Sequence, residues 1–111
     1  MAYDEDIANR IRELISDQSG VTEKKMFGGL AFLVSGNMAI AASGQGGIMV
    51  RVDPGQSDSI VASSKAYPAE MRGRPMAGWL RVAPEDVRTQ RQLAKWVKLG
   101  VGYAGSLAPK R

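Results

Sequence analysis

The side chains that could do chemistry in this sequence are carboxylates, lysines, arginines and tyrosines, because its 111 residues include neither histidine nor cysteine. The usual neutral-pH base, the thiolate nucleophile and the commonest ligands of zinc, haem and iron–sulfur clusters are therefore missing. Seven of the eleven acidic residues fall either at predicted helix starts, where they suit the helix dipole, or alone among basic residues. The first group is Asp4, Glu5, Asp6, Glu85 and Asp86, and the second is Glu23 and Glu70. We expect no catalytic residue, no metal site and no cofactor, and hence a protein that is not an enzyme.

One group of basic residues is a candidate patch for an anion or a protein partner. If its members converge on one side of a sheet, they make an anion-recognising surface beside an aromatic platform. The alternative is that they are separate solvated bases beside a tryptophan at the edge of the core. The patch comprises Lys24, Lys25, Arg51, Arg72, Arg74 and Trp79.

A second group forms a basic stripe along the polar side of the predicted last helix. Such a stripe could follow the phosphate backbone of a nucleic acid. No helix-turn-helix pattern surrounds it, so a plain solvated helix face is the alternative. The stripe comprises Arg88, Arg91, Lys95 and Lys98.

The net charge of +4 is concentrated in the last third of the chain. From residue 70 onward nine Lys/Arg stand against three Asp/Glu, whereas the first 69 residues have six against eight. The length and the 44% hydrophobic content are typical of one soluble globular domain, residues 1–111. With no apolar run of about 18 residues and an acidic start unlike a signal peptide, we expect a cytoplasmic protein.

The elements that must position these residues are centred on residues 21–52, where short β-type runs are separated by glycine-bearing breaks. The run at 22–27 is rich in charge and predicts an edge strand. Strands at 30–34, 38–42 and 48–52 follow, and Ser35-Gly36-Asn37 predicts a hairpin turn between the first two of these.

Helical patterns flank this centre. The periodicity predicts an amphipathic helix over 4–18, a short helix over 57–65 and a last helix over 86–106. Gly100, Gly102 and Gly105 weaken that last helix and predict close packing on the sheet as the compensating reason. A last strand is predicted at 79–82. The sequence at 70–78 lacks a clean period, and a surface loop is predicted there. The fold class is therefore α+β, an antiparallel sheet of about five strands with helices packed against it, in the order α-β-β-β-β-α-β-α.

Residues 21–38, VTEKKMFGGLAFLVSGNM, closely resemble the N-terminal domain of the TfoX/Sxy family of bacterial competence regulators. The likeness continues through 48–52 (IMVRV), 73–76 (GRPM) and the strand at Trp79 with its following Ala-Pro-Glu. This resemblance implies a compact α+β domain. The best-known members of the family are non-enzymatic activators of DNA-uptake genes, which they activate alongside a cyclic-AMP-responsive transcription factor. The family supplies no catalytic residues. The shared motif positions are Lys24, Lys25, Phe27, Gly28, Gly29, Arg51, Gly73, Arg74 and Pro75.

Full-length regulators of this family carry a second, helical C-terminal domain, so the chain resembles the short stand-alone members. The leading hypothesis is a regulatory or adaptor domain that binds a protein partner in the transcription machinery. Direct nucleic-acid binding through the basic stripe and binding of a small anionic ligand are the alternatives. Monomer and homodimer both remain open.

Overall fold

The computed structural model describes residues 3–26 and 28–109, and there three helices pack against one six-stranded antiparallel sheet. The strands are β1 (Val21–Met26), β2 (Gly29–Val34), β3 (Asn37–Ala42), β4 (Ile48–Arg51), β5 (Tyr67–Met71) and β6 (Arg74–Val82). The helices are α1 (Glu5–Leu14), α2 (Ser57–Ser63) and α3 (Gln90–Ser106), and short 3-10 turns occur at Pro54–Gln56 and Pro84–Val87. The predicted α+β class is confirmed.

The strands lie in the order β1-β2-β3-β4-β6-β5. The prediction that the charged first strand lies at an edge is confirmed, and four of its six residues are exposed. The hairpin predicted after β2 is also present. Ser35 and Gly36 both adopt positive φ, 49° and 84°, as a two-residue turn between twisted strands requires.

The sheet has six strands rather than about five, because residues 70–78 form most of a hairpin and not a surface loop. The pairing of β5 with β6 shifts register between Pro68 and Glu70, and Gly78 has a φ of +84°. This irregularity removes the alternation that marks a strand in a sequence. Pro68 is tolerated because β5 is the other edge of the sheet.

The last helix begins at Gln90, later than the predicted residue 86. Residues 84–87 form a 3-10 turn, and Thr89 then caps α3 by accepting a hydrogen bond from the backbone N–H of Gln92. The Gln92 side chain accepts one from the backbone N–H of Thr89 in return, which completes a capping box. The helix α1 ends at Leu14, before the predicted residue 18.

The main core lies between the helices and one face of the sheet. Ile11 of α1 and Leu93 of α3 are fully buried there against Phe32, Ile40 and Val50 of the central strands. The expected close packing of the last helix is confirmed at Gly100, where an added Cβ would overlap the carbonyl oxygen of Ala39.

A smaller apolar cluster, here called the second cluster, lies on the other face of the sheet. Its buried members all come from strands, with no helix residue among them: Ala31, Met38, Ala41, Met49 and Ala69. Met26, Leu33, Met76 and Trp79 pack around them and are partly exposed. In the described part of the chain, the helices therefore cover one face of the sheet and the second cluster occupies the other.

Candidate interaction surfaces

The structure does not bring all six residues of the predicted patch together. Lys24 and Lys25 lie on the edge strand β1, whereas Arg74 begins β6, with three strands between them. Four strand spacings amount to about 19 Å across a flat sheet. Arg72 occupies the turn between β5 and β6, with a φ of 55°.

The two neighbouring lysines also belong to opposite faces of the sheet. Lys24 is paired with Ala31, which belongs to the second cluster, and Lys25 with Leu30, which belongs to the main core. Directly opposed residues of antiparallel strands share a face. Any one binding surface of the sheet can therefore use only one of these two exposed charges.

Arg51 and Trp79 are the members of the patch that meet. They are register partners in β4 and β6, and the guanidinium carbon of Arg51 lies 5.1 Å from the centre of the Trp79 ring. The same carbon lies 5.6 Å from the ring of Tyr103 on α3. Cation–π contacts of this kind contribute about 0.5–1 kcal/mol each at partly exposed sites. Sequence reasoning did not find Tyr103 in this role, because its position in the predicted last helix indicated only that it lies on the inward side.

The basic stripe is formed as the helical spacing predicts. Arg91, Lys95 and Lys98 follow one another along α3, with Arg88 just before the helix, and all four are exposed. In the described residues, none of them lies within salt-bridge distance of a carboxylate. The ammonium of Lys95 lies 5.0 Å from the ring centre of Trp96. The stripe therefore presents uncompensated positive charge to solvent.

A groove of about 710 Å³ runs between α3 and the segment that leads into α2. Val52, Ile60 and Leu99 give it an apolar floor, and Lys95 and Lys98 lie at its rim. Asp53 also lines it, but its carboxylate accepts a hydrogen bond from the backbone N–H of Gly55. The groove is open and carries one carboxylate beside its lysines, which weakens its selectivity for an anion.

The clearest electrostatic interaction is structural. The guanidinium of Arg12 on α1 donates hydrogen bonds of 2.7 and 2.8 Å to the two carboxylate oxygens of Glu23 on β1. These bonds lower the pKa of Glu23 and raise that of Arg12. The pair ties the edge strand to the helix.

The surface that sequence reasoning missed is the second cluster. Its signal is a set of large apolar side chains at strand positions outside the main core, above all the methionines Met26, Met38, Met49 and Met76. Every residue from Leu30 to Val34 is apolar, which is the pattern of a strand with two apolar faces. That pattern could not show that no helix of the described chain covers the second one.

Residues 3–26 and 28–109 hold no group of three His, Cys, Asp or Glu side chains arranged to bind a metal ion. Within the same ranges, the helices are too short or too polar to span a bilayer.

The chain was compared with known proteins. A family model described as the TfoX N-terminal domain matches residues 13–104. No curated protein matches the chain. The matched region includes all six strands, α2, and α3 as far as Ala104.

Proposed function

The chain belongs to the TfoX N-terminal domain family, and on that premise we propose that it is a non-enzymatic regulatory domain that acts by binding a protein partner. The family match carries the proposal, since it spans residues 13–104 of the 111-residue chain. The process that it regulates is transcription, and its partner belongs to the transcription machinery.

The roles of the acidic residues support a function without catalysis. Asp4 caps α1, Asp53 caps the turn before α2, and Glu23 is held by Arg12. The full sequence has no histidine or cysteine to act as base or nucleophile. A surface for a partner, by contrast, is available on the face of the sheet opposite the helices.

The test is a deletion strain complemented with the tagged full chain. We expect a defined set of transcripts to change on deletion and to recover with the plasmid, and the tagged chain to co-purify with a protein partner. An unchanged transcript profile, together with no co-purifying partner, would overturn the proposal.

Direct nucleic-acid binding is a second candidate function, favoured by the exposed and uncompensated stripe on α3. Arg91 and Lys98 are seven residues apart, about 10.5 Å along the helix, which is enough to reach more than one phosphate of a duplex strand. The two candidates differ in the surface that they use.

Fluorescence anisotropy with labelled duplex DNA at two salt concentrations tests this second candidate. Arg91→Glu/Lys95→Glu should weaken binding and lower the slope of log K against log salt by about 2. Lys24→Glu/Lys25→Glu, with the same change of charge on β1, is the control. The stripe would be excluded as the contact if the affinity did not depend on salt concentration. It would also be excluded if both double variants weakened binding equally.

A further inference from the structure

The second cluster offers an apolar surface that the described part of the chain does not cover with a helix. The main core takes residues from α1, α2 and α3, but the second cluster takes none. Its centre is buried by its own neighbours, while Met26, Leu33, Met76 and Trp79 remain partly exposed. Tyr67, on the edge strand β5, is 48% exposed. Partly exposed apolar side chains grouped on one face are typical of interaction sites.

The basic residues on this face follow from the strand register. Lys24 is paired with Ala31, Arg81 with Met49 and Arg51 with Trp79, and each of these three partners belongs to or packs on the second cluster. Arg74 lies two residues before Met76 on β6, which places it on the same face by alternation. By register this face therefore carries four basic residues, of which Lys24 and Arg74 are exposed. Arg51 and Arg81 are half-buried, because the guanidinium of Arg51 also lies 5.6 Å from the Tyr103 ring and that of Arg81 donates a hydrogen bond to the Ser43 hydroxyl.

The acidic residues of the strands lie on the other face. The six strands contain two, Glu23 and Glu70. Glu23 is paired with Phe32 of the main core, and Glu70, next to Ala69 of the second cluster, alternates away from it. Among the residues of the six strands, the face opposite the helices therefore has basic side chains, and no acidic ones, around an apolar centre.

We infer that this face is the docking surface for the partner, and that the segment it binds is an acidic peptide with apolar side chains. The inference rests on the proposed function. Positive charge of one sign steers and orients an acidic partner. The partly exposed methionines Met26 and Met76 supply an adaptable apolar surface, since their unbranched side chains can repack around different ligands.

A single-stranded nucleic acid would match the positive charge of this face, but it would not match the apolar side chains between the basic residues. Sheet surfaces that bind bases present two or three free aromatic rings for stacking. Here the guanidinium of Arg51 already lies over Trp79, and Tyr67 is the remaining exposed ring on this face of the described chain. The floor between them is methionine, leucine and alanine. An acidic peptide is therefore the better occupant.

The experiment is selection of a random peptide library on the immobilised full chain, followed by affinity measurements with the enriched peptides, fluorescently labelled. We expect enriched sequences to combine Asp or Glu with large apolar residues. Lys24→Glu/Arg74→Glu should weaken their binding about tenfold, the equivalent of about 1.4 kcal/mol. Both positions are exposed, so the variant should keep the urea midpoint of the wild type.

The matched control is Lys25→Glu/Lys98→Glu, which makes the same change of charge at two exposed residues on the helix-covered side. It should leave affinity within about twofold, since surface charges away from a contact act weakly through solvent. A Met76→Gln variant should weaken binding without any change of charge.

Three results would overturn the inference. The first is that the enriched peptides lack acidic residues. The second is that the control substitutions weaken peptide binding as much as Lys24→Glu/Arg74→Glu does. A labelled thymidine oligonucleotide that binds, and is weakened by Lys24→Glu/Arg74→Glu, would assign this face to nucleic acid instead. In the first two cases the adaptor function survives if deletion still changes the transcript profile, so failure of this surface is distinguishable from failure of that function.

Discussion

Glu23 and Arg12 join the edge strand β1 to α1 through two charge-assisted hydrogen bonds. Because these bonds lower the pKa of Glu23, the folded state favours the ionised form of this carboxyl group more than the unfolded chain does. Their stabilisation is present above the unfolded pKa of about 4.3 and is lost as the pH falls through the lower folded value. Both side chains are 39% exposed, so solvent reduces the effect.

We therefore expect Glu23→Gln to lower the free energy of unfolding by no more than about 1 kcal/mol at pH 7. The difference from the wild type should shrink as the pH falls through the folded pKa, because the wild-type carboxylate is then protonated as well. Urea unfolding at a series of pH values measures this. Glu13→Gln, which removes a carboxylate from an exposed residue of α1, is the control for the loss of negative charge alone. A difference that grows at low pH would contradict the assignment.

Two glycines of α3 allow a sharp test of packing at a single atom. A Cβ at Gly100 would overlap the carbonyl oxygen of Ala39, whereas a Cβ at Gly102 would meet nothing within 4 Å. Gly100→Ala should therefore destabilise the fold by about 1–3 kcal/mol. Gly102→Ala should stabilise it by about 0.5–1 kcal/mol, because alanine is the better helix former. Urea midpoints of the two variants with the same sign of shift would refute this account of the contact between α3 and β3.

At the scale of elements, α3 depends on the capping box of Thr89 and Gln92 for its first turn. Thr89→Ala should reduce the free energy of unfolding by about 1 kcal/mol, since an orphan backbone N–H loses its acceptor. Thr89→Ser retains the hydroxyl and should stay close to the wild type. Equal losses in both variants, measured by urea denaturation, would show that the threonine methyl group matters and not the cap.

The elements that sequence reasoning found are those with an uninterrupted period. The strands around Ser35-Gly36 alternate or are apolar on both faces, and α1 repeats Ile7 and Ile11 at helical spacing. The hairpin of β5 and β6 was missed because its bulge at Gly78 breaks the alternation. The start of α3 was misplaced because Pro84-Glu85-Asp86 is also a good helix opening, and only the tertiary fold made it a 3-10 turn.

The candidate surfaces divide in the same way. The stripe of Arg91, Lys95 and Lys98 depends on helical spacing alone and was predicted correctly in its geometry. The patch depended on strand order, which no local pattern encodes, and the structure separates Lys24 from Arg74 by three strands. Which face of the sheet the helices of the described residues leave uncovered depends on helix placement, and it could be found only from the whole fold.

At the scale of the molecule, the two apolar clusters should contribute unequally to stability. Leu93 is fully buried in the main core, and Leu93→Ala should cost about 2–5 kcal/mol. That is a large share of the roughly 5–15 kcal/mol that stabilises a typical domain. Met76→Ala should cost less, since part of that side chain already contacts water. Urea titrations measure both losses, and a greater loss at Met76 would mean that the second cluster is the principal core.

The two tryptophans of the chain lie on opposite sides of the sheet. Trp96 is buried in the main core, while Trp79 is partly exposed with the guanidinium of Arg51 over its ring. A shielded indole fluoresces at shorter wavelength than one in contact with water, and iodide reaches only the latter. Replacing either ring by phenylalanine would therefore leave an optical reporter for one side alone. Tryptophan fluorescence can then distinguish binding on the side of the second cluster from loosening of the helices over the main core.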